Sequence, residues 1–274
     1  MNFWLYYKKE CNKVNKFRRV FKYFIHVLTA RNTNGFGVHS PYVYGFIQSV
    51  LKEKHPFYAF ERIETVRKQM LADKSKIFVT DYGTGTDRER TVSEIAQHAL
   101  KSPAMAQILF RMIHHHQFKN ILELGTSLGI SSMYMASASV GCQCVTVEGC
   151  PSISALAQQN FNQLGIKHIK LINCNIDESL SGLLASIDPL DFVFIDANHR
   201  YEPLMHYFEA CVNHADEKAI FVIDDIYWSA EMEKAWKEIK KHKKVRATID
   251  IYHMGIVFLN PMLCRRHYVV KTAP

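Results

Sequence analysis

The segment ILELGTSLGISS places Glu123, Gly125, Gly129 and Ser131 where an apolar run gives way to a helix-compatible one. Glycines at such a point allow a tight turn and close backbone approach to a ligand, with the helix's first N–H groups aimed at it. Glu148 ends the next apolar run, QCVTVEG, 23 residues after Gly125, with Gly149 behind it. An acid at about that spacing is placed to accept hydrogen bonds from ribose hydroxyls. Together these residues point to an adenosine-type ligand. The turn lacks GxGxxG, which disfavours a pyrophosphate-bearing dinucleotide.

A second group is acidic. Asp196 closes DFVFID, and Asp224 and Asp225 close FVIDD. Carboxylate oxygens suit Mg2+ or Ca2+, and such a cation would depress the pKa of a bound hydroxyl. The alternative is that Asp196 orders the site, Asp225 caps a turn and no metal binds. Gly125-Thr126-Ser127-Leu128-Gly129 also fits GxSxG, the nucleophile elbow of α/β-hydrolases. On that reading Ser127 is the nucleophile of an esterase, Asp224 the orienter and His253 the base. It leaves Glu148 without a role, and no HGGG-type oxyanion segment accompanies it. Asp81-Tyr82-Gly83-Thr84-Gly85 follows KIFVT and resembles a second nucleotide-type turn, but a helix rather than an acid-ended strand follows, and Gly83–Thr86 reads as a flexible loop bordering the site. His114, His115 and His116 point in different directions on a helix and read as its end, complementing the dipole as cations. Tyr227 and Trp228 could wall an acceptor pocket or pack in the core.

These residues need strand ends to hold them. β-branched runs at 120–124, 143–147, 168–172, 191–196 and 219–224 alternate with helical stretches near 129–139, 152–164, 178–186, 201–214 and 229–241. Five strands with crossover helices require a doubly wound, mostly parallel α/β sheet. RATIDIY and MGIVFLN sit back to back and should form an antiparallel C-terminal hairpin. Before residue 119 the pattern is helical, over about 41–53, 59–72, 89–100 and 103–116, with Ser40-Pro41 as an N-cap and first-turn proline. The division expected is a basic, helical extension over 1–102 and a ligand-binding domain over 103–274.

LELGTSLGISS, the Glu148 strand end, FVFIDANHRYEP and FVIDDIYW together resemble class I S-adenosylmethionine-dependent methyltransferases. The likeness is greatest to the catechol and caffeoyl-CoA O-methyltransferases and their bacterial relatives, and covers about 103–260. The resemblance implies a seven-stranded Rossmann-like sheet and O-methylation of a small-molecule hydroxyl. It implies that Glu123, Gly125 and Gly129 line the methionine and ribose part of the cofactor. Glu148 would hold the ribose hydroxyls, and Asn175 and Ile176 would frame the adenine, where Asp is usual at the first position. Thr126, Ser127, Ser131, Gly149 and Asp196 complete the implied cofactor set. In metal-dependent relatives the positions of Asp196, Asp224 and Asp225 are Asp, Asp and Asn. His199 stands where catechol-type enzymes carry lysine, and a histidine can act there as general base. Asp196 is its expected catalytic companion.

The chain has 274 residues, 48% of them hydrophobic and 22% charged, which excludes a disordered or collagen-like polymer. No run approaches the ~18 apolar residues of a membrane span. Charges follow the opening MNFWLYY rather than precede it, the wrong order for a secretory signal. Seven cysteines without a CxxC pair suggest free thiols and a cytoplasmic setting. Residues 1–30 hold seven basic residues against the single acid Glu10, interleaved with aromatics. Such a segment either meets an anionic membrane surface or docks on its own domain. A purely ligand-binding protein tethered through it is a further alternative. No nucleic-acid-binding signature is present, and a homodimer is the default oligomer.

Overall fold

The computed structural model describes residues 17–80 and 87–272. Helix α1 covers 17–29. Ser40 caps α2 (Pro41–Phe46), which passes into a π-helical turn at Ile47–Leu51. Then come α3 (Tyr58–Ala72), a β1 (Lys76–Val79) and β2 (Arg88–Thr91) hairpin, α4 (Val92–Ala99) and α5 (Pro103–His116). The alternating part consists of β3 (Asn120–Leu124), α6 (Ile130–Ala136), β4 (Gln143–Glu148), α7 (Pro151–Leu164), β5 (Ile169–Asn173), α8 (Ile176–Ala185), β6 (Leu190–Ile195), α9 (Tyr201–Asn213), β7 (Ala215–Asp224) and α10 (Ala230–Lys241). It closes with β8 (Ala247–Asp250), β9 (Met254–Phe258) and β10 (Arg266–Val269).

The large sheet runs β10-β8-β9-β7-β6-β3-β4-β5, and β9 alone opposes its neighbours. Because strand side chains alternate, Ile121, Phe192, Phe194, Ile220 and Ile256 face a core shared with α2, α3, α5, α6 and α7. Leu122, Leu124, Val193, Ile195, Phe221 and Val257 face the other core, with α8, α9 and α10. Chain order reverses between β3 and β6, so the carboxyl ends of these two strands flank the topological switch point, where ligands bind in open α/β sheets.

The five parallel strands and the C-terminal hairpin stand where the sequence places them. Two elements differ. The expected helix over 89–100 begins only at Val92, because Arg88–Thr91 pairs antiparallel with Lys76–Val79 and Thr91 then forms a capping box with Glu94. An eighth strand, β10, extends the seven expected, its partly charged sequence masking a parallel pairing with β8. The turn after α1 covers that outer strand: Asn32 exchanges hydrogen bonds with Val269, and Thr33 accepts the Lys271 N–H.

Candidate active site

Gly125 ends β3 at φ +102°, and a Cβ there would lie 2.2 Å from the Asp196 carbonyl oxygen. Gly129 opens α6 at φ +85°, where a Cβ would lie 2.4 Å from the Phe161 ring of α7. Both glycines are therefore demanded by neighbouring protein, apart from any ligand's approach. The first presses β3 against the end of β6; the second seats α6 on α7. Between them, Ser127 adopts φ +48° and donates its N–H to Glu148 Oε2 at 2.8 Å. Cys150 N–H donates to Glu148 Oε1 at 2.9 Å. The Glu148 carboxylate thus turns toward the β3 turn and bridges the ends of β3 and β4. Burial raises its pKa while the backbone N–H groups of Cys150, Ser127 and Gly149 oppose the rise.

Beneath this turn the polar groups are buried. Thr146 donates to Glu123 Oε2 at 2.6 Å, Ser132 also donates to it, and Thr126 and Thr146 hydroxyls lie 2.6 Å apart. Glu123 Oε1 and the Ser127 hydroxyl are buried without hydrogen-bond partners. Burial lifts Glu123 to about 7 against its hydroxyl partners, Ser131 among them, and against the Lys101 charge. Asn173 donates to the Glu148 and Gly149 carbonyls, fixing the bend after β4. Asn175 caps α8 by accepting the Asp177 N–H and donates to Glu178. Its carboxamide holds the turn ahead of Ile176 and is engaged within the chain. The Gly83–Gly85 segment lies outside the described residues, but Thr80, at its near end, donates its N–H to Cys150 Sγ beside Glu148.

The acidic strand ends assemble differently from the expected Asp196, Asp224 and Asp225 trio. Asp196, His199 and Asp224 each bring a ligand atom within 4.8 Å of the others; Asp225 is not in that group. Asp225 sits at φ +50°, its N–H bound to the His253 carbonyl and its own carbonyl accepting from Trp228. His199 Nε2 lies 3.6 Å from Asp196 Oδ1. The unforeseen member is Lys101. Its ammonium lies 3.1 Å from Asp196 Oδ2 and in direct contact with Asp224 Oδ2. Burial alone would lower the Lys101 pKa, but the charges of Asp196, Asp224 and Asp225 hold it raised. Asp196 is raised by burial and by Asp224, with Lys101 pulling the other way.

One sequence signal could have found this lysine. Lys101 precedes the Ser102-Pro103 start of α5, and α5 joins β3 through a left-handed Gln117 and two further residues. A helix returning so tightly into a strand begins at that strand's carboxyl end, where the site lies.

The Ser127 hydroxyl meets no base, so the GxSxG reading loses its nucleophile; its supposed base, His253, lies beside Asp225 and Tyr252. Tyr227 donates to Asp250 and stacks on Tyr252, a packing role, whereas Trp228 is partly exposed near the His199 ring and under Arg19 of α1. His116 is half-buried against Phe46 and Phe118 and driven down to about 4 chiefly by desolvation, so it is neutral rather than a cation at the helix end.

Among known families, the model for a methyltransferase domain matches residues 122–226, from the core of β3 past the end of β7. A catechol O-methyltransferase of Niastella koreensis is 30% identical over 128 residues, which cover 46% of this chain and 57% of the relative's length. An O-methyltransferase from Bacillus cereus in complex with SAH superposes with a TM-score of 0.54 at 17% identity, over 79% of this chain and 96% of that one. A Streptomyces achromogenes O-methyltransferase involved in tomaymycin synthesis, in complex with SAM, gives 0.53 at 16% identity, over 74% and 89%. The matched stretch thus contains the Glu148 bridge, Asp196, His199, Asp224 and Asp225, while Lys101 reaches it from outside.

Proposed function

We propose that the protein is an S-adenosylmethionine-dependent O-methyltransferase acting on a small-molecule hydroxyl. The observation that carries the proposal is the Glu148 carboxylate, held toward the β3 turn at the switch point of a methyltransferase domain. The unpartnered Ser127 hydroxyl and Glu123 oxygen below it fit a polar ligand that would complete their hydrogen bonding. When bound, the cofactor supplies a methyl group activated on a sulfonium and leaves as S-adenosylhomocysteine.

The residues divide the work by position. Each Glu148 oxygen already accepts one N–H and keeps a lone pair for a ribose hydroxyl. Gly125, Thr126, Ser127, Gly129 and Ser131 shape the wall on the β3 side with Glu123 beneath, and Gly149, Asn175 and Ile176 shape the adenine side. Asp196 and His199 face the acceptor, whose hydroxyl proton passes to the imidazole while Asp196 stabilises the cation formed. Positioning the acceptor in line supplies the rest of the rate. Of the two metals the carboxylates suggest, neither Mg2+ nor Ca2+ fits beside the Lys101 ammonium, and no step depends on one.

The proposal is tested by incubating the full chain with methyl-labelled cofactor and phenol, sugar and lipid-linked hydroxyl acceptors. Label is expected on the oxygen of one class, with His199→Gln lowering kcat at the wild-type optimum and flattening the acid limb of the pH profile. Hydrolysis of simple esters abolished by Ser127→Ala, without any methyl transfer, would contradict it.

Helix α1 adds a surface. Its inner face is tied down: Arg18 and Lys22 pair with Glu233 at 3.0 and 2.7 Å, and His26 Nδ1 lies 3.2 Å from Asp250. Its outer face bears Phe17, Phe21, Phe24 and Leu28 at helical spacing, with Phe17 77% and Leu28 79% exposed. Lys8, Lys9, Lys13 and Lys16 precede it in sequence. An apolar stripe behind a run of lysines suits an anionic bilayer surface, and we assign α1 that contact. No helix among the described residues is long and apolar enough to cross a membrane.

A further inference from the structure

Buried carboxylates need compensation, and in this fold the compensation comes from an unusual place. Asp224 is almost fully buried at the end of β7, and Asp196 keeps 17% of its side-chain surface at the end of β6. The Lys101 side chain is 14% exposed, and its ammonium stands between them, against Asp224 Oδ2 and 3.1 Å from Asp196 Oδ2. A divalent ion bridging the same two oxygens would have to occupy that volume at roughly 2.0–2.6 Å from each. Two cations do not share it. The Phe194 ring, its centroid 5.8 Å from Nζ, lines one side of the ammonium. Lysine has three N–H donors. Asp196 and Asp224 engage two, which leaves one for an acceptor oxygen.

We propose that Lys101 is the resident cation of the Asp196–Asp224 pair, so that the protein works without a divalent metal and acquires a metal site only when this lysine is removed. The arrangement of Asp196, His199 and Asp224 is then a latent donor set, filled by an ammonium supplied by the chain itself. Lys101 serves as a positioning residue: it holds both strand-end carboxylates toward the switch point and turns its third N–H to the oxygen that is methylated. The last statement rests on the O-methyltransferase reading; the metal statement does not.

The test is titration of the full chain with Mn2+ in the absence of cofactor, followed by electron paramagnetic resonance of free Mn2+. Wild type is expected to bind no Mn2+ at this site. Lys101→Met and Lys101→Gln are expected to bind one ion, at least about tenfold tighter than any residual association with wild type, because a repelling charge a few ångströms away is gone. Adding Asp224→Asn to either variant should abolish the gain. In parallel, wild-type methyl transfer should survive EDTA, while Lys101→Met loses turnover and recovers part of it with Mg2+. A tightly bound Mn2+ in wild type that Asp224→Asn removes would overturn the proposal. So would folded Lys101 variants that gain no ion. If neither variant folds, the wild-type titration decides alone. Failure of the methyltransferase reading would instead appear as absent turnover in every protein, with the Mn2+ result intact.

Discussion

Replacing Glu123 by glutamine should stabilise the protein at alkaline pH and do nothing, or harm, at acid pH. Glu123 is fully buried on β3 with one oxygen unpartnered, and burial lifts its pKa from 4.5 to about 7. A carboxyl whose pKa is higher folded than unfolded binds more protons in the native state. Stability is therefore undiminished below about 4.5, falls as pH rises toward about 7, and stays at its lower value above it. The gap corresponds to about 3 kcal/mol at roughly 1.4 kcal/mol per pH unit. Glutamine is neutral throughout, and the Ser132 and Thr146 hydroxyls that now donate to Glu123 can rotate to accept from its amide. At pH 8 Glu123→Gln should gain up to about 3 kcal/mol, or about 6–12 °C in Tm. Urea unfolding followed by tryptophan fluorescence at pH 5, 6, 7 and 8 measures the difference directly. Two stability curves running parallel across that range would show that the buried carboxyl does not titrate as argued.

Other predictions follow from the same geometry. Gly125→Ala forces a Cβ to 2.2 Å from a backbone carbonyl, and Gly129→Ala forces one to 2.4 Å from the Phe161 ring. Both should cost more than about 3 kcal/mol in urea unfolding. Phe161→Leu should relieve part of the second cost and none of the first, because only the second obstacle is a side chain. For α1, the full chain should sediment with phosphatidylserine-containing vesicles and not with phosphatidylcholine alone. Changing Phe17, Phe21, Phe24 and Leu28 to serine should abolish that sedimentation, each buried side chain being worth about 1.5–3 kcal/mol. Loss of a dimer in light scattering with unchanged vesicle binding would reassign the face to a second copy of this chain.

What the sequence revealed was whatever repeats locally. The period-2 runs from Ile121 to Ile256 locate the strands because each face meets its own core. Glu148 and the β3 turn are read from spacing because a strand–turn–helix unit fixes their separation. Spacing could not tell whether Gly125 and Gly129 are glycine for a ligand or for Asp196 and Phe161, since that depends on β6 and α7 arriving beside them. Asp225 reads with Asp224 as a pair of ligands, but its backbone, at positive φ, bonds to His253 and Trp228, and its carboxylate is not in the group that His199 joins. Lys101 lies far along the chain from Asp196 and Asp224, and only the return of α5 into β3 brings it to them. The β1–β2 hairpin and β10 escaped because RERT and RHYV carry charges that strand patterning discounts, while both pair at exposed edges.

The most direct test of the nucleoside site is calorimetric titration of the full chain with S-adenosylhomocysteine, wild type beside Glu148→Ala. One-site binding is expected in wild type, weakened about 100-fold in the variant by the loss of two hydrogen bonds to a charged acceptor, with far-UV circular dichroism unchanged. A folded wild type that binds no S-adenosylhomocysteine, or a Glu148→Ala variant that binds it equally well, would contradict the account.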